Sequence, residues 1–85
     1  MSLTVNFDGS WDSQTRKEIE DAVRRCIGEP PNNESWAVLL SAGLSGDFCE
    51  VQVTTAHQSR SRLFFDDSSK LAKAITEWIG MYPLR

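Results

Sequence analysis

Residues 35–79 constrain the fold most, because they predict three strands and a helix joined by short connections. Alternation of apolar and polar residues predicts strands over Phe48–Thr55 and Ser59–Phe65. Ser35–Ala42 is predicted as a strand with apolar residues on both sides, which suggests a central position in the sheet or an outer face that meets a partner. A turn over residues 43–47, which contains two glycines, and a short connection over 56–58 join the three strands. The following apolar stripe predicts a helix that begins near residues 66–68 and ends at Gly80. These segments predict an antiparallel meander covered by a helix.

The first third of the chain adds one more strand and one more helix. Residues 3–7 alternate apolar and polar, which predicts a strand. Asp12 or Ser13 is positioned to cap a helix that ends at Gly28, before two consecutive prolines. Its apolar positions follow the three- and four-residue spacing of an amphipathic helix and are Ile19, Ala22, Val23, Cys26 and Ile27. The predicted element order is therefore β-α-β-β-β-α.

This order predicts an α+β fold, a two-layer sandwich with a mostly antiparallel four-stranded sheet and two helices packed on one face. At 85 residues the chain has room for one core, so residues 1–85 are expected to form a single α+β domain. A right-handed crossover sets the first strand parallel to the second if the two are neighbours. The pattern does not fix the position of the first strand in the sheet.

Charge and hydropathy favour a soluble protein that does not enter membranes. The chain has 12 acidic and 9 basic residues, a net charge of −3, which disfavours extended contact with nucleic-acid phosphates. Its longest apolar run, residues 36–40, is too short to span a bilayer. The start of the chain shows no secretory signal, and we expect a cytoplasmic location. Cys26 and Cys49 are both predicted to lie on core faces.

No residue spacing in the sequence predicts catalysis. The single histidine, His57, falls in a predicted hairpin connection, where a water-excluded cleft is not expected. Asp66 and Asp67 are adjacent at a helix start, which favours capping over paired acid–base chemistry. We therefore predict no catalytic residues, no metal site and no cofactor. A small-ligand site or an enzyme of unrecognised type remains an alternative.

The candidate functional surface is the sheet face that points away from the helices. The predicted strand registers direct Leu39, Phe48 and Phe64 outward, together with Arg60 and Arg62. Aromatic residues and arginine are typical of interface centres. We therefore predict a non-catalytic protein-interaction module of adaptor, regulatory or toxin-neutralising type. Its partner would be another protein or a second copy of the chain.

From residue 13 onward the order of helix, three strands and helix resembles the double-stranded-RNA-binding domain. Residues 69–73 partly match that family's lysine-rich start of the last helix, at Lys70 and Lys73. The resemblance implies phosphate contact by these two lysines and gives nucleic-acid binding as the alternative function. The sequence departs from the family in the turn at 43–47, which lacks the Gly-Pro-x-His pattern, and in Asp66 and Asp67, which stand where phosphates would arrive.

Overall fold

The computed structural model describes residues 2–30, 33–43 and 48–81. It confirms the predicted order of six elements, with small changes at their ends. These are β1 (Ser2–Asp8), α1 (Ser13–Ile27), β2 (Ser35–Ala42), β3 (Cys49–Thr54), β4 (Ser59–Phe64) and α2 (Ser68–Met81). Gly80 lies inside α2, one residue before its end. Residues 44–47 of the predicted turn lie outside the described residues.

The four strands form one sheet in the order β1-β2-β3-β4. β1 runs parallel to β2, whereas β2, β3 and β4 form the predicted antiparallel meander. In the described sheet β1 and β4 are therefore the edge strands. Because α1 follows β1 and α2 follows β4, both helices begin at the same end of the sheet.

Both helices pack on one face of the sheet and complete the two-layer sandwich. Their buried residues share one hydrophobic core with the inward side chains of β2, β3 and β4. The core residues are Ile19, Val23, Val38, Leu40, Cys49, Val51, Val53, Phe64, Leu71, Ile75, Trp78 and Ile79. Inward residues of β1 pack partly buried at its border. The predicted fold class is confirmed.

α1 forms where its caps and charges favour a helix. The Asp12 carboxylate accepts a hydrogen bond from the Thr15 backbone N–H at 3.1 Å. This bond satisfies one of the first-turn N–H groups, which have no acceptor within the helix. Gly28 ends the helix with φ 72° and ψ −152° and donates its N–H to the Arg24 carbonyl oxygen. Arg24 also donates from Nη1 to the Leu3 carbonyl oxygen at 2.8 Å, which ties α1 to β1.

The predicted register of β4 was wrong by one residue. Phe64 pairs with Cys49, Arg62 with Val51 and Arg60 with Val53, and these β3 partners all face the helices. Phe64 is consequently 3% exposed and lies against α2, whereas Leu63 and Phe65 are 46% and 69% exposed. The error arose because residues 63–65 are all apolar, so alternation alone does not show which of them turns inward.

The predicted burial was correct for one of the two cysteines. Cys49 is buried, as expected for a core residue of β3, whereas Cys26 is exposed. The Cys26 sulfur lies 3.7 Å from the Thr76 carbonyl oxygen of α2, near the last turn of α1. The contact with α2 leaves the Cys26 thiol accessible.

Candidate functional site

The open face of the sheet does not carry the predicted mixture of aromatic and arginine side chains. Arg60, Arg62 and Phe64 lie on the helix side of β4, and the Arg62 guanidinium stacks 5.1 Å from the centre of the Phe64 ring. Leu39 points outward as predicted and is 37% exposed. The predicted outward orientation is therefore wrong for Arg60, Arg62 and Phe64.

Polar side chains dominate the open face of the sheet in the observed register. By strand pairing the outward set of residues 3–8, 36–42, 49–54 and 59–64 is Thr4, Asn6, Asp8, Ala37, Leu39, Ser41, Glu50, Gln52, Thr54, Ser59, Ser61 and Leu63. Its two leucines stand two strands apart and do not share a row of the ladder. Two isolated leucines among polar residues are typical of an ordinary solvated sheet. The described residues at the centre of this face therefore form no contiguous apolar patch.

A larger apolar feature lies at the end of the sheet where both helices begin. Phe48 immediately precedes β3 and Phe65 immediately follows β4, so antiparallel pairing brings the two rings together. Their centroids are 6.0 Å apart, and the residues are 38% and 69% exposed. We call Phe48 and Phe65 the aromatic pair. Leu63, 46% exposed, extends this apolar surface along β4.

Phe48 of the aromatic pair lines a depression of about 290 Å³, which we call the end groove. Residues from both helix starts and from the ends of three strands line it. They are Ser10, Trp11, Asp12, Thr15, Ala42, Phe48, Cys49, Phe64, Asp66, Ser68 and Leu71. The buried members, Cys49, Phe64 and Leu71, form an apolar floor, and the exposed polar members form the rim.

Trp11 is a fixed wall of the end groove. Its indole Nε1 donates to the Asp8 carbonyl oxygen at 2.8 Å, which holds the ring at the end of β1. The ring also meets Phe7 edge to face, with centroids 5.2 Å apart and an interplanar angle of 76°. A side chain held by both a hydrogen bond and an aromatic contact loses little further freedom when a ligand binds beside it.

Phe48 is the opposite wall and depends on Gly43. The Gly43 N–H donates to the Phe48 carbonyl oxygen at 2.8 Å, and the Phe48 ring lies close over Gly43. A Cβ atom at position 43 would come within 2.7 Å of the ring, closer than packed atoms tolerate. Glycine at this position therefore allows Phe48 to border the groove.

The charges lining the end groove are negative. Asp12 and Asp66 contribute carboxylates, and among the described lining residues none is lysine or arginine. Each helix start contributes roughly half a positive charge, which two full negative charges outweigh. The Asp12 carboxylate also accepts a hydrogen bond from the Thr15 hydroxyl at 3.2 Å, so its position is fixed.

The thiol of Cys49 reports the environment of the groove floor. Burial raises its pKa to about 11, and the negative charge of Asp66 adds to the increase. The thiol is therefore neutral at physiological pH and acts as a small apolar group. A neutral thiol is a poor nucleophile, so the floor provides packing surface rather than a reactive group.

Solved structures are similar to this chain at low sequence identity. The N-terminal domain of Thermus thermophilus Protein Y matches 89% of this chain and 94% of its own length, with 15% identity and a TM-score of 0.46. No family model and no curated protein matches the sequence. The function is therefore inferred from the residues of this chain.

The two lysines that gave the nucleic-acid alternative lie away from the end groove. Lys70 and Lys73 are exposed on α2 and do not line it. The Lys73 ammonium lies 3.9 Å from the Glu77 carboxylate, a surface pair of small energetic weight. His57 is also exposed at the β3–β4 connection, 4.0 Å from the Glu34 carboxylate, and no lysine, arginine or histidine is among the described residues that line the groove.

Within residues 2–30, 33–43 and 48–81, no three histidine, cysteine or acidic side chains are grouped so that they could hold a metal ion. None of the helices in these ranges is long and apolar enough to cross a membrane.

Sequence reasoning missed Trp11 as a residue of the groove and missed Leu63 and Phe65 as exposed residues. A topological signal for the groove was available, since residues 9–12 follow β1, Phe48 precedes β3 and Asp66 follows β4. In a β-α-β-β-β-α sheet with β1 parallel to β2, these positions meet at one end. Functional residues often lie in the loops at strand ends. This topological signal therefore favours this end of the sheet over the open face as the candidate site.

Proposed function

We propose that this protein is a non-catalytic protein-interaction module that acts through the end groove and the aromatic pair. The observation that carries this proposal is the exposed contact of Phe48 and Phe65 beside a groove with an apolar floor. Exposed aromatic side chains next to a concave apolar site are typical of interface centres. Burial of a large apolar side chain contributes about 1.5–3 kcal/mol, so covering Phe65 alone is a substantial gain.

The geometry of the groove favours binding over catalysis. Its walls are rigid, since Trp11 is hydrogen-bonded to β1 and Phe48 is seated on Gly43. A preorganised surface lowers the entropy lost on association. The groove contains a neutral thiol and no histidine among its described lining residues, so it lacks an activated nucleophile with an adjacent base. These features support an interaction role.

Site-specific photo-crosslinking tests the proposal. The photoreactive residue p-benzoylphenylalanine replaces Phe65 in one version of the protein and Lys17, an exposed residue of α1, in a matched control. Irradiation in cells that naturally produce the protein is expected to give one covalent adduct of defined mass from position 65 and none from position 17. A partner protein and a second copy of the chain are distinguished by mass spectrometry of the adduct.

A variant with an altered groove tests whether the crosslink at position 65 depends on the groove. Gly43→Ala places a methyl group against the Phe48 ring and is expected to abolish the adduct at position 65 while the protein remains folded by circular dichroism. Equal adducts from positions 65 and 17, an adduct unaffected by Gly43→Ala, or no adduct at position 65 would each contradict the proposal.

A further inference from the structure

We propose that the end groove binds a partner segment in which one large apolar side chain stands beside a lysine or arginine. This inference rests on the proposed function and specifies the chemistry of the partner. It follows from two independent features of the groove, its apolar interior and its acidic rim.

The interior of the groove selects an apolar side chain. The floor is formed by Cys49, Phe64 and Leu71, each no more than 6% exposed, and the walls are the rings of Trp11 and Phe48. Its volume of about 290 Å³ is at the lower end of the range for ligand pockets. Such a space suits one anchoring side chain rather than an extended small molecule, and aromatic walls favour an aromatic or long aliphatic anchor.

The rim selects positive charge beside that anchor. Asp12 and Asp66 line the groove, and two more acidic residues lie close in sequence, Asp8 at the end of β1 and Asp67 just before α2. A partner carboxylate or phosphate would meet like charges here, whereas an ammonium or guanidinium group would meet carboxylates. Each exposed charge pair is expected to strengthen binding by about two- to five-fold, and salt should weaken this part of the affinity.

The same charges argue against a nucleic acid as the occupant of this groove. Binding of a phosphate backbone requires several lysine or arginine contacts, and the described lining residues contain none. The exposed Lys70 and Lys73 lie outside the groove on α2. A peptide segment that is both basic and apolar matches the acidic rim and the apolar interior of the groove. A polyanion matches neither.

Nuclear magnetic resonance titration with three blocked pentapeptides tests the inference. The probes are Gly-Lys-Trp-Lys-Gly, its charge-reversed analogue Gly-Glu-Trp-Glu-Gly, and Gly-Lys-Gly-Lys-Gly, which lacks the apolar anchor. The basic tryptophan peptide is expected to shift the backbone amide signals of Trp11, Cys49 and Ser68, with a dissociation constant at least about five-fold lower than either control. Asp66→Asn should weaken its binding about two- to five-fold. Glu77→Gln, on the far surface of α2, should leave binding unchanged.

Each other result overturns the inference. Equal binding of the three peptides, preference for the acidic peptide, shifts confined to residues outside the groove, or no shifts at millimolar peptide would all contradict it. The proposed function fails separately, in the crosslinking experiment. A groove-dependent adduct at position 65 together with failed peptide selectivity would keep the interaction module and remove only this partner chemistry.

Discussion

The Phe64 ring meets the Trp78 ring edge to face, with centroids 5.7 Å apart and an interplanar angle of 73°. The two residues are 3% and 7% exposed, so the contact is buried. Phe64 lies on β4, an edge strand that pairs only with β3 in the described sheet, and Trp78 lies on α2. This contact therefore holds the edge strand to the helix layer and directs Phe65 to the outside.

Truncation of the neighbouring residues Phe64 and Phe65 should affect the stability of the fold to very different extents. Phe64→Ala removes a buried ring and is expected to lower the free energy of unfolding by about 3–5 kcal/mol. Phe65→Ala removes an exposed ring and should change it by less than about 0.5 kcal/mol. Urea unfolding followed by circular dichroism measures both.

The total stability of a domain of this size is only roughly 4–13 kcal/mol, so Phe64→Ala alone can fail to fold. Phe64→Leu, a smaller change at the same site, provides a graded comparison and should cost less than Phe64→Ala. If Phe65→Ala proved as destabilising as Phe64→Ala, the observed register of β4 would be incorrect.

The ionisation of Cys49 predicts a specific loss of stability in alkali. Its thiol has a pKa of about 11 in the folded protein against 9.0 ordinarily, so the unfolded chain loses this proton at lower pH. The stabilising contribution is complete below pH 9 and decreases as the pH rises through 11. Relative to Cys49→Ala, the free energy of unfolding should fall by roughly 2 kcal/mol between pH 8 and pH 11.

The comparison with Cys49→Ala removes the contribution of lysines and other groups that titrate in the same range. Cys26→Ala, at the exposed cysteine, is the matched control and should retain the alkaline loss of the parent protein. A constant difference between the parent protein and Cys49→Ala from pH 8 to 11 would contradict the assigned environment of this thiol.

Two glycine-to-alanine changes should move stability in opposite directions. Gly28 has φ 72° and ψ −152°, a conformation that other residues rarely adopt, so Gly28→Ala should destabilise by about 1–3 kcal/mol without any steric clash. Gly80 lies inside α2 in open space, and Gly80→Ala should stabilise by about 0.5–1 kcal/mol. In thermal unfolding, Gly28→Ala should lower the melting temperature relative to the parent protein, and Gly80→Ala should raise it.

The cap of α1 gives a prediction that separates hydrogen bonding from charge. Asp12→Ala removes the acceptor for the Thr15 N–H and should cost about 1 kcal/mol of unfolding free energy. Asp12→Asn keeps an acceptor oxygen and should retain most of the stability while it removes one negative charge from the end groove. Urea unfolding of the pair is the measurement, and equal losses in both variants would show that charge, not capping, is the stabilising property.

Local patterns were sufficient for most of the fold. The range Ser35–Ala42 was predicted to the residue, since its apolar run is bounded by polar residues and a glycine. α1 was predicted because Asp12, Gly28 and the apolar stripe agree with one another. The position of β1 beside β2 was left open, since it depends on pairing between residues more than 30 positions apart.

The candidate site was predicted less well than the fold. Leu39 and Phe48 are exposed as expected, whereas Phe64 is buried and both strand arginines lie on the helix side. The choice between Phe64 and Phe65 depends on which of them aligns with Cys49 across the ladder. That alignment is a non-local property and leaves no local signal in a run of three apolar residues.

The amino-acid sequence by itself determined the six elements, their order and the α+β class, because helical and strand periodicities and caps act over a few neighbouring residues. Only the tertiary structure decided which face of β4 is buried and where an acidic, aromatic-walled groove forms. Both depend on contacts between segments distant in the chain: Trp11 after β1, Phe48 before β3 and Asp66 after β4 meet only when the sheet has assembled.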